Sequence, residues 1–367
     1  MVQYLSMWLI IFAVVLLIML LSLVYMINAV NRFGIFNRIE NKTAGKLASF
    51  LTIFSICLAF SLTMGIMNMI VIFIYLTVSF LIWGLIIRFI KKRRELNEKV
   101  YLQGWLAILT TFVYLAFGFY TAHHVCRTEY NLTTRKNTGD LKIAMFADSH
   151  LGTTFDGEGF AKHIETIKAE NPDIVLIAGD FVDDSAKMAD IVTACKALGS
   201  IESKYGVWYA FGNHDKGYME GRDYTVEGLK NEFLKNNVHI LEDELEYAGN
   251  LCIAGRADKG KKTRKELSKL LEGADTGKYI IVMDHQPADY EKESQTEADL
   301  VVSGHTHGGQ LFPITYIGEW SGVNDRTYGY ERRGSVDFIV TSGISDWALD
   351  FKTGTVSEYV IINVKGK

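Results

Sequence analysis

The sequence predicts an α/β domain that follows an all-α transmembrane region, and three observations support this assignment. In the C-terminal two-thirds of the chain, short apolar runs alternate with stretches of helical pattern, which is typical of α/β folds. Clusters of Asp and His directly follow several of these runs, where α/β folds place their functional sites. The N-terminal third is instead apolar over lengths that suit membrane-spanning helices.

Four apolar stretches predict four transmembrane helices, at about residues 5–30, 47–64, 68–90 and 104–125. Residues 50–87 contain no charged side chain and are too long for a single span of about 20 residues. We therefore expect two spans there, with a turn near Gly65 to Asn68. The first stretch lacks a basic leading region and a small-residue cleavage site, so it is expected to be a retained span.

Basic residues predict the orientation of these spans. The loops after the first and third spans contain Arg32, Arg38, Lys42, Lys46, Arg88, Lys91, Lys92, Arg93, Arg94 and Lys99. Loops rich in Lys and Arg face the cytoplasm, so four spans would leave both termini outside it. We predict a multi-pass protein of the cell membrane, with the lipid bilayer as a partner and an extracytoplasmic C-terminal domain.

Charge is divided unevenly along the 367 residues, a length that suits about two domains. Residues 1–139 carry a net charge of +9 and the remainder −13, giving −4 overall. Because nucleic-acid binding needs a basic face, the acidic region excludes nucleic acid as an expected partner. Cys195 and Cys252 are expected to be free buried thiols, with a disulfide between them as the alternative.

The expected domain order is a transmembrane region over 1–126, a linker over 127–140 and the α/β domain over 141–367. Apolar runs in this domain predict strands over 141–147, 174–178, 207–211, 252–254, 279–283, 300–302, 336–341 and 358–364. Helices are expected over 160–170, 187–198 and 226–236.

Five polar fragments follow predicted strands and have the composition of a metal site. They are Asp148-Ser149-His150, Gly179-Asp180-Phe181-Val182-Asp183, Gly212-Asn213-His214-Asp215, Asp284-His285-Gln286-Pro287 and Gly304-His305-Thr306-His307. Carboxylates, imidazoles and an amide together suit Mn, Fe or Zn better than Ca or Mg alone. One such fragment is more often an ordinary hydrogen-bonded core segment, but five in sequence after apolar strands are not expected by chance.

This set of motifs resembles the pattern of the calcineurin-like metallophosphoesterases, D-x-H, G-D-x-x-D, G-N-H-D/E, H and G-H-x-H. The resemblance covers about residues 141–367, and the segment 304–310 is similar to that of a membrane-bound or exported bacterial subgroup. It implies a four-layer α/β/β/α sandwich with two divalent metal ions. In this subgroup an arginine is expected where this chain has Lys352, whose role the sequence leaves open.

The resemblance also implies roles for individual residues. One ion would be held by Asp148, His150, Asp180 and His307, and the other by Asp180, Asn213, His285 and His305. A metal-bridging hydroxide would attack the phosphate ester. His214 would act as the acid for the leaving oxygen, oriented by Asp215, while Asp183 would fix a ligand histidine.

The implied function is a membrane-anchored metal-dependent phosphoesterase, with diester or pyrophosphate cleavage preferred to monoester cleavage. Its substrate would be a lipid-linked, cell-envelope or nucleotide phosphate, and an activity like that of UDP-2,3-diacylglucosamine hydrolase is an alternative. A catalytically silent sensor or scaffold is the alternative hypothesis from a class other than enzymes. Such a protein would be expected to lose metal ligands that this sequence keeps. Transport through the spans is disfavoured because they contain almost no charge.

Overall fold

The computed structural model describes residues 2–93 and 100–366, with side chains from residue 13 onwards. Arg94 and Lys99 of the second basic loop lie outside the described residues. The chain forms two compact units, Met1–Gly118 and Phe119–Lys367. The helices of the first unit are α1 (Val2–Val30), α2 (Gly34–Asn37), α3 (Lys42–Arg93) and α4 (Leu102–His123), whose last turn belongs to the second unit.

Three of these helices, α1, α3 and α4, are long and apolar enough to cross a membrane. Helix α3 is broken at Gly65, whose φ of 84° and ψ of 159° are accessible almost only to glycine. Ile53 before the break and Phe73 after it line one cavity of about 750 Å³. A straight helix would place them about 30 Å apart, so the two halves of α3 fold back on each other. The turn therefore lies where the sequence predicts it.

The second unit contains two six-stranded sheets. In chain order its strands are β1 (Cys126–Thr133), β2 (Asp140–Phe146), β3 (Ile174–Ala178), β4 (Val207–Ala210), β5 (Val238–Leu241), β6 (Glu244–Ala248), β7 (Leu251–Gly255), β8 (Tyr279–Met283), β9 (Leu300–Ser303), β10 (Gly329–Arg333), β11 (Val336–Val340) and β12 (Glu358–Lys365). Its helices are α5 (Gly157–Ala169), α6 (Met188–Gly199), α7 (Val226–Lys235), α8 (Leu267–Leu270), α9 (Tyr290–Glu293) and α10 (Ile317–Trp320). The sheet orders are β1-β12-β2-β3-β4-β5 and β10-β11-β9-β8-β7-β6.

Three apolar cores show how these elements are layered. Side chains of both sheets, such as Ile143 and Ile281, share the central core. A second core joins the first sheet to α5, α6 and α7 through residues such as Phe160. A third joins the second sheet to α8 and α9 through residues such as Leu267 and Tyr290. The unit is thus a four-layer α/β/β/α sandwich, as the sequence resemblance implies.

The segment 127–140 is not the linker that the sequence predicts. Most of it forms β1, which pairs in parallel with the C-terminal strand β12 from Cys126↔Glu358 to Thr133↔Lys365. Its side chains alternate between solvent and the sheet, and Leu132 is buried in the central core. The expectation was wrong because a half-exposed edge strand lacks the apolar run by which the other strands are found. The four cysteines are free, so no Cys195–Cys252 disulfide forms.

Candidate metal centre

The predicted ligands lie on turns that follow β2, β3, β4, β8 and β9. Five of them have left-handed backbone conformations, namely Asp148 (φ 54°), His150 (φ 37°), Asp180 (φ 52°), His305 (φ 71°) and His307 (φ 48°). Each such conformation costs about 1–3 kcal/mol in a residue with a side chain, and they concentrate at ligand sites. These five residues lie on the three turns after β2, β3 and β9, and they bring their side chains to one edge of the two sheets.

The structure gathers six of the seven predicted ligands into two clusters. One cluster contains Asp148, His150 and His307, and the other contains Asp180, His285 and His305. In each cluster the ligand atoms lie within 4.8 Å of one another, close enough for a single cation to reach all three. This division matches the two metal sites that the sequence resemblance implies.

Asp180 lies between the clusters. Its Oδ2 is 3.0 Å from His285 Nε2 in one cluster and 3.8 Å from His150 Nε2 in the other. Its Oδ1 accepts a hydrogen bond of 2.7 Å from the backbone N–H of His214. A carboxylate held in this way can bridge two cations and offset their repulsion.

Asn213, the seventh predicted ligand, adjoins the second cluster. Its Oδ1 lies 3.2 Å from His285 Nε2, while its Nδ2 donates a hydrogen bond of 3.0 Å to the hydroxyl of Tyr218. Since the amide nitrogen is occupied by Tyr218, the amide oxygen is the atom turned towards the cluster. An oxygen ligand is what a metal requires of an asparagine.

In three ligand histidines Nδ1 faces an oxygen atom behind the ring, and that of His285 makes a hydrogen bond. Nδ1 lies 2.8 Å from the carbonyl oxygen of Ala178 in His285, 3.3 Å from Asp183 Oδ2 in His150 and 3.8 Å from Asp346 Oδ1 in His307. Each ring thereby presents Nε2 to its cluster. Such outer contacts fix the orientation and the tautomer of metal-binding histidines.

Behind His307, Lys352 forms a fully buried ion pair with Asp346. Its Nζ is 3.0 Å from Asp346 Oδ1 and donates hydrogen bonds to the carbonyl oxygens of Ser342 (2.8 Å) and Ser345 (3.2 Å). The ammonium group therefore balances Asp346, which in turn faces His307 Nδ1. Lys352 thus balances a buried carboxylate whose Oδ1 lies 3.8 Å from Nδ1 of a predicted ligand histidine.

The electrostatics of the clusters fit a pair of cations. Burial and the nearby charge of Asp180 raise the pKa of the Asp148 carboxyl to about 6, although His285 and His150 act in the opposite direction. Burial, followed by the charge of His285, lowers the pKa of His305 to about 3, so His305 offers a neutral imidazole. For His285 burial opposes protonation, but the Asp180 carboxylate outweighs it and raises the pKa to about 10. A proton there supplies the positive charge that Asp180 needs.

The close packing around Asp180 explains why a glycine precedes Asn213. A β-carbon at Gly212 would lie 2.1 Å from Asp180 Oδ1 and 2.4 Å from the Asp180 backbone nitrogen. Those distances are far inside van der Waals contact, and the obstructing atoms include rigid backbone. Position 212 therefore tolerates only glycine while Asp180 keeps its place between the clusters.

The expected pairing of His214 with Asp215 is wrong. Asp215 is fully buried and accepts backbone N–H bonds from Gly212, Asp180, Phe181 and Val182, at 2.7 to 3.1 Å. These four bonds tie the turn after β4 to the turn after β3. Neighbouring side chains in such a turn point in different directions, so adjacency in sequence does not bring Asp215 to the imidazole of His214.

Asp183 takes the position expected of Asp215. Its Oδ2 lies 3.2 Å from His214 Nδ1 and 3.3 Å from His150 Nδ1, so one oxygen serves both rings. Burial lowers the pKa of His214, but the hydrogen bond to Asp183 and the charge of Asp180 outweigh it and raise the pKa above its ordinary value. His214 is therefore oriented with Nε2 free to meet a substrate.

Two aromatic side chains flank His214 at the mouth of the site. The rings of Tyr218 and Trp347 each lie 5.1 Å from the imidazole, centroid to centroid, and both are exposed. Both residues lie outside the five motifs, so the motif pattern does not indicate either of them.

A buried charge cluster lies behind His285 and was not found from the sequence. Arg256 Nη1 lies 2.7 Å from Asp284 Oδ2 and 2.9 Å from Glu293 Oε1, and Arg264 also contacts Asp284. Burial and the adjacent Asp284 carboxylate raise the pKa of Glu293. Because Asp284 immediately precedes His285, the cluster fixes the end of β8 that carries this ligand.

A four-layer α/β/β/α domain with carboxylates and imidazoles in two adjacent clusters has the arrangement of the metal-dependent phosphoesterases. Residues 141–309 match the calcineurin-like phosphoesterase family, and the chain therefore contains a calcineurin-like metallophosphoesterase domain. An uncharacterized metallophosphoesterase of Campylobacter jejuni is 32% identical over 233 residues, which cover 62% of this chain and 60% of that protein.

Other relatives are more distant. A Danio rerio transmembrane protein with metallophosphoesterase domain is 27% identical over 248 residues, covering 63% of this chain and 56% of that protein. The chain thus spans about 60% or less of the length of these relatives. Among solved structures, a dimetal phosphatase from Danio rerio aligns over 55% of this chain and 86% of its own, with a TM-score of 0.35 and 10% identity.

Proposed function

We propose that this protein is a membrane-anchored phosphoesterase that hydrolyses a phosphodiester or pyrophosphate outside the cytoplasm with two divalent metal ions. The observation that carries the proposal is the position of Asp180 between two ligand clusters, with His214 beside them. Helices α1, α3 and α4 support the membrane anchor by their length and apolar composition. Lipid-linked, cell-envelope and nucleotide phosphates are the candidate substrates.

The residues of the site would have different roles in the proposed reaction. Asp148, His150, His307 and Asp180 would hold one ion, and Asp180, Asn213, His285 and His305 the other. When bound, the ions supply an activated water and positive charge for the phosphoryl oxygens. His214, held by Asp183 and carrying a proton, would donate that proton to the leaving oxygen. Mn, Fe and Zn all suit this mixture of donors.

The test is hydrolysis of bis-p-nitrophenyl phosphate by the purified full-length protein with added Mn²⁺. Asp180→Asn removes the bridging charge, so we expect metal content to fall and kcat/KM to drop by at least about 100-fold. Glu165→Gln is the matched control, because it removes one carboxylate charge from an exposed position on α5 and should leave both values unchanged.

The alternative hypothesis, a catalytically silent sensor or scaffold, predicts a different result in the hydrolysis assay. Such a protein would bind metal through the same residues but hydrolyse no ester. Full metal occupancy, without turnover of a monoester, a diester or a pyrophosphate, would reject the proposed enzyme.

A further inference from the structure

An exposed apolar loop lies beside the candidate metal centre and is not used by the proposed chemistry. This apolar loop comprises residues 311–323 and contains α10. Ile317 is 58% and Trp320 75% exposed, and Ile314, Tyr316 and Val323 are exposed as well. A soluble surface seldom groups so many large apolar side chains, and a contiguous patch of this kind marks an interaction site.

The composition of the apolar loop favours a lipid surface over a protein partner or solvent. Glu319 is its one charged residue, and the Glu319 carboxylate is turned back to accept a 3.0 Å hydrogen bond from the backbone N–H of Thr327. Tryptophan and tyrosine, here Trp320 and Tyr316, are enriched at the boundary between lipid and water. Aliphatic residues beside them would enter the acyl region.

The chain itself joins the apolar loop to the end of a candidate membrane span. The carbonyl oxygen of Gln310, at the start of the loop, accepts a 2.8 Å hydrogen bond from the backbone N–H of Thr353. A few residues on, the backbone N–H of Ser357 donates a 2.9 Å bond to the carbonyl of Thr121. Thr121 lies in the last turn of α4, which is long and apolar enough to cross a membrane. One short segment, 353–357, thus holds both features.

We propose that the apolar loop docks on the lipid bilayer and seats the metal site against the membrane surface. The last turn of α4, a candidate membrane span, is hydrogen-bonded to the segment that carries the loop, and this continuity favours the bilayer as the partner that covers these side chains. The bilayer is the occupant that both the composition of the loop and its attachment favour.

The docking also indicates the class of substrate. This second step rests on the proposed phosphoesterase function. A pocket of about 350 Å³ is lined by His305 of the site and by Ile314 and Ile317 of the apolar loop. Leu349 and polar residues such as Thr306 and Asn324 complete its lining. Its apolar wall and imidazole suit a molecule that is apolar at one end and a phosphate ester at the other. We therefore infer that the substrate phosphate is carried on a lipid.

Photo-cross-linking of the full-length protein in lipid nanodiscs tests the docking. The photoreactive residue p-benzoylphenylalanine replaces Trp320, and in a matched control it replaces Leu234, which is 60% exposed on α7. We expect lipid adducts at position 320 at several times the level at position 234. Equal adduct levels, or a cross-link from position 320 to a second copy of the chain without lipid adducts, would overturn the proposal.

A second measurement separates docking from the proposed function. Trp320→Ser/Val323→Ser should slow hydrolysis of CDP-diacylglycerol in vesicles at least tenfold and leave hydrolysis of bis-p-nitrophenyl phosphate unchanged. Wild-type activity on the soluble ester alone would overturn the lipid-linked substrate. Lipid cross-links without activity on either compound would reject the proposed function and still support the docking. Equal loss on both compounds would show that the loop acts through the fold and would count against the proposal.

Discussion

Asp183 and Asp215 are chemically identical, but they have different roles in the structure. Asp183 places one oxygen between the imidazoles of His150 and His214, so it acts on groups that would meet metal and substrate. Both oxygens of Asp215 accept hydrogen bonds from four backbone amides, and these bonds join two turns. The first should matter for rate and the second for stability.

Substituting each by asparagine separates the two roles. Asp183→Asn should lower kcat on a soluble phosphodiester by about 10–100-fold, since it removes the charge that orients both histidines, with little change in thermal unfolding. Asp215→Asn should lower the free energy of unfolding by about 2–4 kcal/mol, because its amide nitrogen cannot accept bonds from backbone donors. Both quantities can be measured on the full-length protein in detergent.

The opposite pattern would return Asp215 to the catalytic role that the sequence suggests. If Asp215→Asn lost activity at unchanged stability, its four amide contacts could not be its main function. If Asp183→Asn kept full activity, the imidazole of His214 would need no carboxylate to orient it.

At the scale of secondary structure, β1 makes the first sheet complete. It covers β12, whose other edge pairs with β2, so without β1 the strand β12 would expose a row of unpaired backbone groups. Such open edges invite pairing with other chains. Within β1, Leu132 contributes to the central core and Thr128 hydrogen-bonds the buried carboxylate of Glu358.

The domain boundary is therefore expected before β1 and not after it. A fragment over 125–367 should be monomeric and should unfold cooperatively, whereas a fragment over 140–367 should aggregate or melt at a lower temperature. Size-exclusion chromatography and thermal unfolding measure the difference. Equal behaviour of the two fragments would mean that the edge of β12 is tolerated without its partner.

The strands found from the sequence and those missed differ in burial. Strands such as β3 and β8 are buried along their whole length, so they read as unbroken apolar runs. The missed strands β1, β5, β6 and β10 each contain exposed or partly buried side chains among their residues. All four are edge strands of the two sheets, and β1 pairs with β12, more than 200 residues further along the chain, so the local sequence pattern does not reveal its partner.

The site shows the same division between local and distant information. The ligand types follow from their motifs, because each motif is a strand end followed by a short turn. The carboxylate behind His307 does not, since Asp346 and its partner Lys352 come from a segment about 40 residues further along the chain. Only the packing of the second sheet against that segment brings them together.

For the whole molecule, the distribution of charge predicts the side of the membrane on which the metallophosphoesterase domain lies. The positive-inside rule predicts that the two basic loops face the cytoplasm, and the domain itself is strongly acidic. The number of membrane crossings between the basic loops and the domain decides on which side of the membrane the domain lies. Helix α3 has 52 residues, about 78 Å if it were straight, which is more than twice the thickness of a bilayer core of about 30 Å.

If the fold-back at Gly65 gives two crossings within α3, the total is even, and we predict that the C-terminus lies outside the cytoplasm. A reporter that is active only outside the cytoplasm should be active when fused after Lys367 and inactive when fused after Arg38, in the first basic loop. A fluorescent protein that matures only in the cytoplasm should give the reverse pattern at the same two positions. If instead the cytoplasmic reporter worked after Lys367, the number of crossings would be odd, and the substrate would have to be sought inside the cell.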